Sequence, residues 1–142
     1  MIIVSDHNVR GAVRALRRVM ERDWADFVLG YEIEFKQLEE LGLNAKSTDE
    51  EIYVRCLEAD AFLVTGDKTT NDGEDSLESV IRRLGRADSA PVITIGNQAM
   101  VLKDPDYLGQ CAMDLIDCLT DIENRRGTGR VFIPYQWQGA RR

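Results

Sequence analysis

Short runs of β-branched and aliphatic residues alternate along this chain with stretches whose apolar positions recur every three to four residues. Ile2-Ile3-Val4 is apolar throughout and ends at Ser5-Asp6, which reads as a buried strand. Val9, Ala12, Val13, Leu16 and Met20 then follow helical spacing, with Arg10, Arg14, Arg17 and Arg18 among the positions between. Residues 23–35 carry no clear period. Phe27-Val28-Leu29 is compatible with a second strand ended near Gly30, and Phe35, Leu38 and Leu41 suit a short helix ended by Gly42. Ser47-Thr48-Asp49-Glu50-Glu51 is a helix start in which either Ser47 with Glu50 or Thr48 with Glu51 forms a capping box, and Ile52, Cys56 and Leu57 continue that helix. Ala61-Phe62-Leu63-Val64-Thr65 is the next buried strand. Residues 68–75 are a polar loop, and Leu77, Val80, Ile81 and Leu84 form the stripe of a helix stopped by Gly85. Pro91-Val92-Ile93-Thr94-Ile95 is another strand, closed by Gly96-Asn97. Asp104-Pro105 opens a long helix with Asp as N-cap and Pro in its first position. The stripe runs from Leu108 to Ile122, Gly127 and Gly129 end the helix, and Val131-Phe132-Ile133 reads as a last strand.

Alternation of this kind, with fully apolar strands, predicts an α/β fold: a mostly parallel central sheet covered by helices on both faces. At 142 residues the chain is one domain, expected over 1–134 with a tail over 135–142. Tyr135 and Trp137 in that tail are read as closing the edge of the core. No apolar run approaches the roughly 18 residues needed to span a bilayer, and the N-terminus lacks the pattern of a secretory signal. A cytoplasmic protein without membrane contact is therefore expected. Cys56, Cys111 and Cys118 form no C-x-x-C pair, and the chain has a single histidine, so neither a zinc knuckle nor a histidine metal site is supported. Three buried reduced thiols are expected.

Charge changes the picture only through its placement. The net charge is −7. Residues 1–20 carry four arginines against one aspartate, and residues 21–78 carry 17 acidic against five basic side chains. Residues 79–142 carry nine basic against seven acidic. Arginines therefore cluster on two helices, Arg10, Arg14, Arg17 and Arg18 on one and Arg82, Arg83 and Arg86 on the other. Arg10, Arg14, Arg82 and Arg83 are the candidate phosphate contacts.

Parallel sheets place their sites at the carboxyl ends of the strands. Asp6 follows the first strand and Asp67 follows the strand ending at Thr65, so both carboxylates are expected in one crevice. A helix leading into that second strand is expected to start at the opposite edge of the sheet, so pattern alone does not carry Asp49 into the crevice. Asp72, Glu74 and Asp75 lie on the loop after Asp67 and are candidates to join. Carboxylates gathered in one crevice repel each other without a cation, and Mg²⁺ or Mn²⁺, which prefer oxygen ligands, resolve the repulsion. Such an ion activates water and braces a phosphodiester.

The ordered set Asp6-His7-Asn8-Val9, Leu41-Gly42-Leu43, Ser47-Thr48-Asp49-Glu50-Glu51-Ile52, Phe62-Leu63-Val64-Thr65-Gly66-Asp67 and Val92-Ile93-Thr94-Ile95 resembles a toxin-type branch of the PIN-domain-like superfamily. The resemblance covers about residues 1–97. It implies a three-layer α/β/α sandwich and a divalent-metal-dependent nuclease, most often a ribonuclease. It further implies Asp6, Asp49 and Asp67 as catalytic metal ligands, Asp72 or Asp75 as a fourth acid, and Asn8 and Thr65 as supporting residues. The partners it implies are RNA, less readily DNA, an antitoxin protein and a second copy in a homodimer. The competing reading is the same fold with an incomplete site, acting as a protein- or nucleic-acid-binding module. A receiver domain wants paired acids where Ser5-Asp6-His7 stands, a haloacid-dehalogenase-like phosphatase wants Asp-x-Asp where Asp6-His7-Asn8 stands, and no Gly-rich nucleotide loop is present.

Overall fold

The computed structural model describes residues 1–66 and 76–137. Among them, five strands form one sheet in which every pairing is parallel. In chain order the elements are β1 (Ile2–Ser5), a 3-10 turn (His7–Val9), α1 (Arg10–Asp23), α2 (Ala25–Gly30) and β2 (Glu34–Gln37). A second 3-10 turn (Leu38–Leu41), α3 (Asp49–Ala59), β3 (Ala61–Gly66), α4 (Leu77–Leu84) and β4 (Val92–Ile95) follow. The chain continues through α5 (Gln98–Lys103), α6 (Pro105–Thr120), α7 (Ile122–Arg125) and β5 (Arg130–Ile133).

Strand alternation divides the core in two. Ile3, Phe62, Val64, Ile93, Ile95, Val131 and Ile133 face α1 and α6 in the larger cluster. Val4, Ala61, Leu63 and Val92 face α3 and α4 in the smaller one. The result is a three-layer α/β/α sandwich, as the periodicity predicts. Both faces of β1, β3 and β4 are buried, which is why their sequences are continuous apolar runs rather than alternating ones. No helix among the described residues is long and apolar enough to cross a membrane.

The strand order is β2-β1-β3-β4-β5. The chain leaves β1 for β2 on one side, crosses to β3 on the other, and continues outward to β4 and β5. The carboxyl ends of β1 and β3 therefore flank the switch point, where open α/β sheets form a crevice.

Three local expectations need correction. Phe27-Val28-Leu29 lies in helix α2, with Phe27 and Val28 packed on the larger core and Leu29 76% exposed. The second strand is instead Glu34-Phe35-Lys36-Gln37, which pairs only with β1. An edge strand gains from charge and need not be apolar, so its sequence carries no buried-strand signal. Phe35 consequently belongs to this strand, and only Leu38–Leu41 turns, as a 3-10 helix closed by Gly42 at φ +79°. The long helix also stops earlier than its stripe implies: α6 ends at Thr120, and Ile122 opens the separate turn α7. Its start is as expected, with the Asp104 carboxylate accepting from the N–H groups of Asp106 and Tyr107. Helix α5, capped by the Asn97 side chain, is an additional element.

Tyr135 and Trp137 pack onto α6. The Tyr135 N–H donates to Asp114 Oδ2 at 2.7 Å, its hydroxyl donates to the Asp114 carbonyl at 2.9 Å, and Trp137 meets the Tyr107 ring edge-on. All three cysteines are free and buried. Burial pushes the Cys56 and Cys111 thiols up to about 12 and Cys118 to about 11. A raised thiol pKa leaves little thiolate at pH 8, and thiolate is the reactive form. Iodoacetamide at pH 8 is therefore expected to label all three at least about 100-fold more slowly in buffer than in denaturant. Mass spectrometry reads the difference, and ready labelling of the native protein would contradict this packing.

Candidate functional site

A cleft of about 940 Å³ opens on the α3/α4 face of the sheet. Its carboxyl-edge end holds Asp6, Asp49, Thr65 and Gly66, and its other end holds Gly85, Arg86, Ser89 and the Gly127-Thr128-Gly129 turn. Each functional side chain there is placed by a local feature of the sequence.

Asp6 continues β1 by one residue, its N–H donating to the Val64 carbonyl at 2.9 Å. It then caps the 3-10 turn, with Oδ1 accepting from the His7 N–H at 2.7 Å. One carboxylate oxygen is thus tied down by the chain's own turn, which orients the group.

Asp49 is the first residue of α3. Thr48 is the N-cap: its hydroxyl accepts from the Glu51 N–H at 3.1 Å, and Glu51 accepts from the Thr48 N–H at 2.8 Å. Of the two boxes the sequence allows, Thr48 with Glu51 forms. The latter bond holds the Glu51 carboxyl below the usual carboxylate range. The helix dipole favours negative charge at this end.

The expectation that such a helix begins at the far edge of the sheet is corrected by this geometry. The crossover helix between two parallel strands runs back against both of them. Its N-terminus therefore lies at their carboxyl ends, and Asp49 lines the same cleft as Asp6. Tyr53, one turn further along α3, also lines it. Burial raises its phenol pKa, so the hydroxyl remains a donor at neutral pH.

Thr65 is 2% exposed, and its hydroxyl lies 3.4 Å from that of Thr94 on the next strand. Arg130 Nη1 donates to the Thr94 hydroxyl at 2.8 Å, and Arg130 Nε donates to Glu78 at 3.1 Å. A polar chain therefore runs from α4 across β5 and β4 to Thr65.

Among the described residues, the other expected site residues reach the cleft only in part. Asn8 is exposed in the turn after Asp6 and is not among the cleft-lining residues. Asp67, Asp72 and Asp75 lie outside the described residues. Arg82 lines the cleft, whereas Arg83 is on the outer side of α4, bonded to Glu50 at 2.7 Å. Arg10 is bonded to Glu39, which holds that carboxyl below its usual range. Arg14 is exposed on α1, whose buried residues pack on the opposite face of the sheet. The cleft instead gathers Arg82, Arg86 and Arg130. Arg130 gave no sequence signal because it stands outside both arginine clusters.

The donors at this end of the cleft are carboxylate oxygens, the type a hard divalent cation takes. Asp6 and Asp49 supply carboxylate oxygens from two elements, and Mg²⁺ is typically bound through one or two carboxylates while keeping several waters. Among the described residues no group of three or more His, Cys, Asp or Glu side chains is placed to hold a metal. Comparison of the chain with protein families, with curated proteins and with solved structures gives no match.

Proposed function

We propose that this chain is a divalent-metal-dependent phosphodiesterase that cleaves RNA, using Mg²⁺ or Mn²⁺ held by Asp6 and Asp49. The observation that carries this reading is that those two carboxylates, from separate elements, line one cleft with Arg82, Arg86 and Arg130. In sequence, Gly66 at the end of β3 is followed by Asp67, the third proposed ligand. When bound, the ion lowers the pKa of a water and neutralises charge on the scissile phosphate.

The chain's own groups do the rest. The His7 N–H fixes the Asp6 carboxylate, and the start of α3 fixes Asp49. Arg82 and Arg86 are exposed along the cleft, Arg86 at the end away from the carboxylates, where they pair with phosphates further along the bound strand. Asp72 or Asp75 as a further ligand, Asn8 as a supporting residue, an antitoxin partner and a homodimer rest on the PIN-like resemblance alone.

Mn²⁺ titration by calorimetry tests the site, and labelled RNA and DNA strands test the chemistry. Saturable Mn²⁺ binding and RNA cleavage abolished by EDTA are expected. A site that stays metal-free at millimolar Mn²⁺ overturns the reading and leaves the fold as a binding module.

A further inference from the structure

On β5 the side chains alternate strictly. Val131 and Ile133 enter the larger core, while Arg130 and Phe132 lie on the cleft face. Phe132 is 47% exposed, although its neighbour Ile133 is fully buried. An exposed aromatic residue on an edge strand contributes little to the core, and charge would protect that edge better. Its neighbour Arg130 is charged and held in place. Arg130 is held by Glu78 and Thr94, and its guanidinium carbon lies 5.9 Å from the centre of the Phe132 ring.

Strand register places this ring relative to the carboxylates. Thr65 pairs with Thr94, and Thr94 pairs with Phe132. Asp6 extends β1 beside the same row, since Ser5 pairs with Val64. Phe132 is therefore three strands from Asp6, about 14 Å at a spacing of about 4.8 Å per strand. A single nucleic-acid strand covers that span with a few nucleotides. From these positions we infer that Phe132, flanked by Arg130, is a stacking platform for an unpaired nucleobase of a strand bound in the cleft.

This inference rests on the reading of the cleft as a nucleic-acid site. Arg82 and Arg86 are exposed along the cleft and supply charge to a phosphate backbone, while Arg130 is bonded to Glu78 and serves to hold the ring's surroundings, and the ring supplies a sequence-tolerant contact that every base can use. A base inside a duplex has its faces covered and cannot reach the ring, so a duplex is excluded from this contact. Tyr135 and Trp137 are committed to α6 and do not compete for the role.

Fluorescence anisotropy in Ca²⁺ buffer, without Mn²⁺, tests it on three probes: a labelled single-stranded RNA, an abasic strand of equal length and a blunt RNA duplex. The wild type is expected to prefer the base-carrying single strand. Phe132→Ala is expected to raise the Kd for that strand by about 5- to 150-fold, the range for loss of one stacked base, and to bind the abasic strand as the wild type does. Phe132→Trp restores the preference. The inference is overturned if Phe132→Ala binds the single-stranded RNA as the wild type does, or loses affinity equally for the abasic strand. It is also overturned if the wild type has no preference among the probes. A Phe132-dependent preference without Mn²⁺-dependent cleavage leaves stacking intact and removes the phosphodiesterase. Cleavage that is indifferent to Phe132 does the reverse.

Discussion

Asp6→Asn is expected to abolish saturable Mn²⁺ binding and to lower RNA cleavage by about a thousandfold. The magnitude follows from the several kcal/mol of transition-state stabilisation that a bound divalent ion supplies, at about 1.4 kcal/mol per tenfold in rate. The substitution isolates charge from structure. Asn caps helical turns about as well as Asp, and its side-chain oxygen still accepts from the His7 N–H where Asp6 Oδ1 now does. Far-UV circular dichroism and the melting temperature should therefore stay close to wild type while binding and rate collapse. Asp49→Asn should behave alike, and the double variant should lose little more, because two groups that hold one ion act as a unit. Wild-type cleavage by Asp6→Asn would place the chemistry elsewhere. A large fall in melting temperature would show that the carboxylate serves the turn rather than an ion.

Three of the four legible strands are buried on both faces, and the fourth, Val131-Phe132-Ile133, is an edge strand whose apolar run includes the exposed Phe132. Ile2-Ile3-Val4, Ala61–Thr65 and Val92–Ile95 lie at the centre of the sheet, where burial demands apolar residues at every position. Glu34–Gln37 was illegible for the opposite reason: backbone pairing to β1 forms it, and its side chains are exposed or half-buried. Phe27-Val28-Leu29 misled because three consecutive apolar residues fit a strand and a short helix equally well.

The site shows the same division. Asp6 could be read from the end of an apolar strand. Asp49 required the direction of the crossover helix, which is a property of the topology and not of the residues near Asp49. Arginine clusters in sequence do not reveal which members are already paired. Arg10 finds Glu39, 29 residues away, and Arg83 finds Glu50, 33 residues away. Phe132 was available in principle, since alternation about Val131 and Ile133 assigns it to the other face. Read as one apolar run, however, those three residues carry no facial information.

The same substitution at two glycines is expected to move stability in opposite directions. Gly127 stands between α7 and β5 at φ +81°, and a Cβ there would lie 2.6 Å from the Ala87 carbonyl oxygen. Its N–H also donates to the Ser89 carbonyl at 3.0 Å, joining this turn to the α4–β4 connection. Left-handed backbone costs a residue with a side chain about 1–2 kcal/mol, and overpacking adds about 1–3 kcal/mol. Gly127→Ala should thus cost about 2–5 kcal/mol, a large share of the roughly 5–15 kcal/mol typical of a domain. Gly109 lies within α6, with open space where a Cβ would stand. Gly109→Ala should stabilise by about 0.5–1 kcal/mol through helix propensity alone. Urea denaturation of both variants reads the two signs, and equal shifts in one direction would contradict the turn contact. The contrast also reaches the site. Ala87, Ser89, Gly127 and Thr128 all line the cleft beside Arg86, so forcing the two turns apart displaces an arginine that the reading assigns to phosphate. Gly127→Ala should therefore weaken RNA binding even where the variant remains folded, and Gly109→Ala should leave it unchanged.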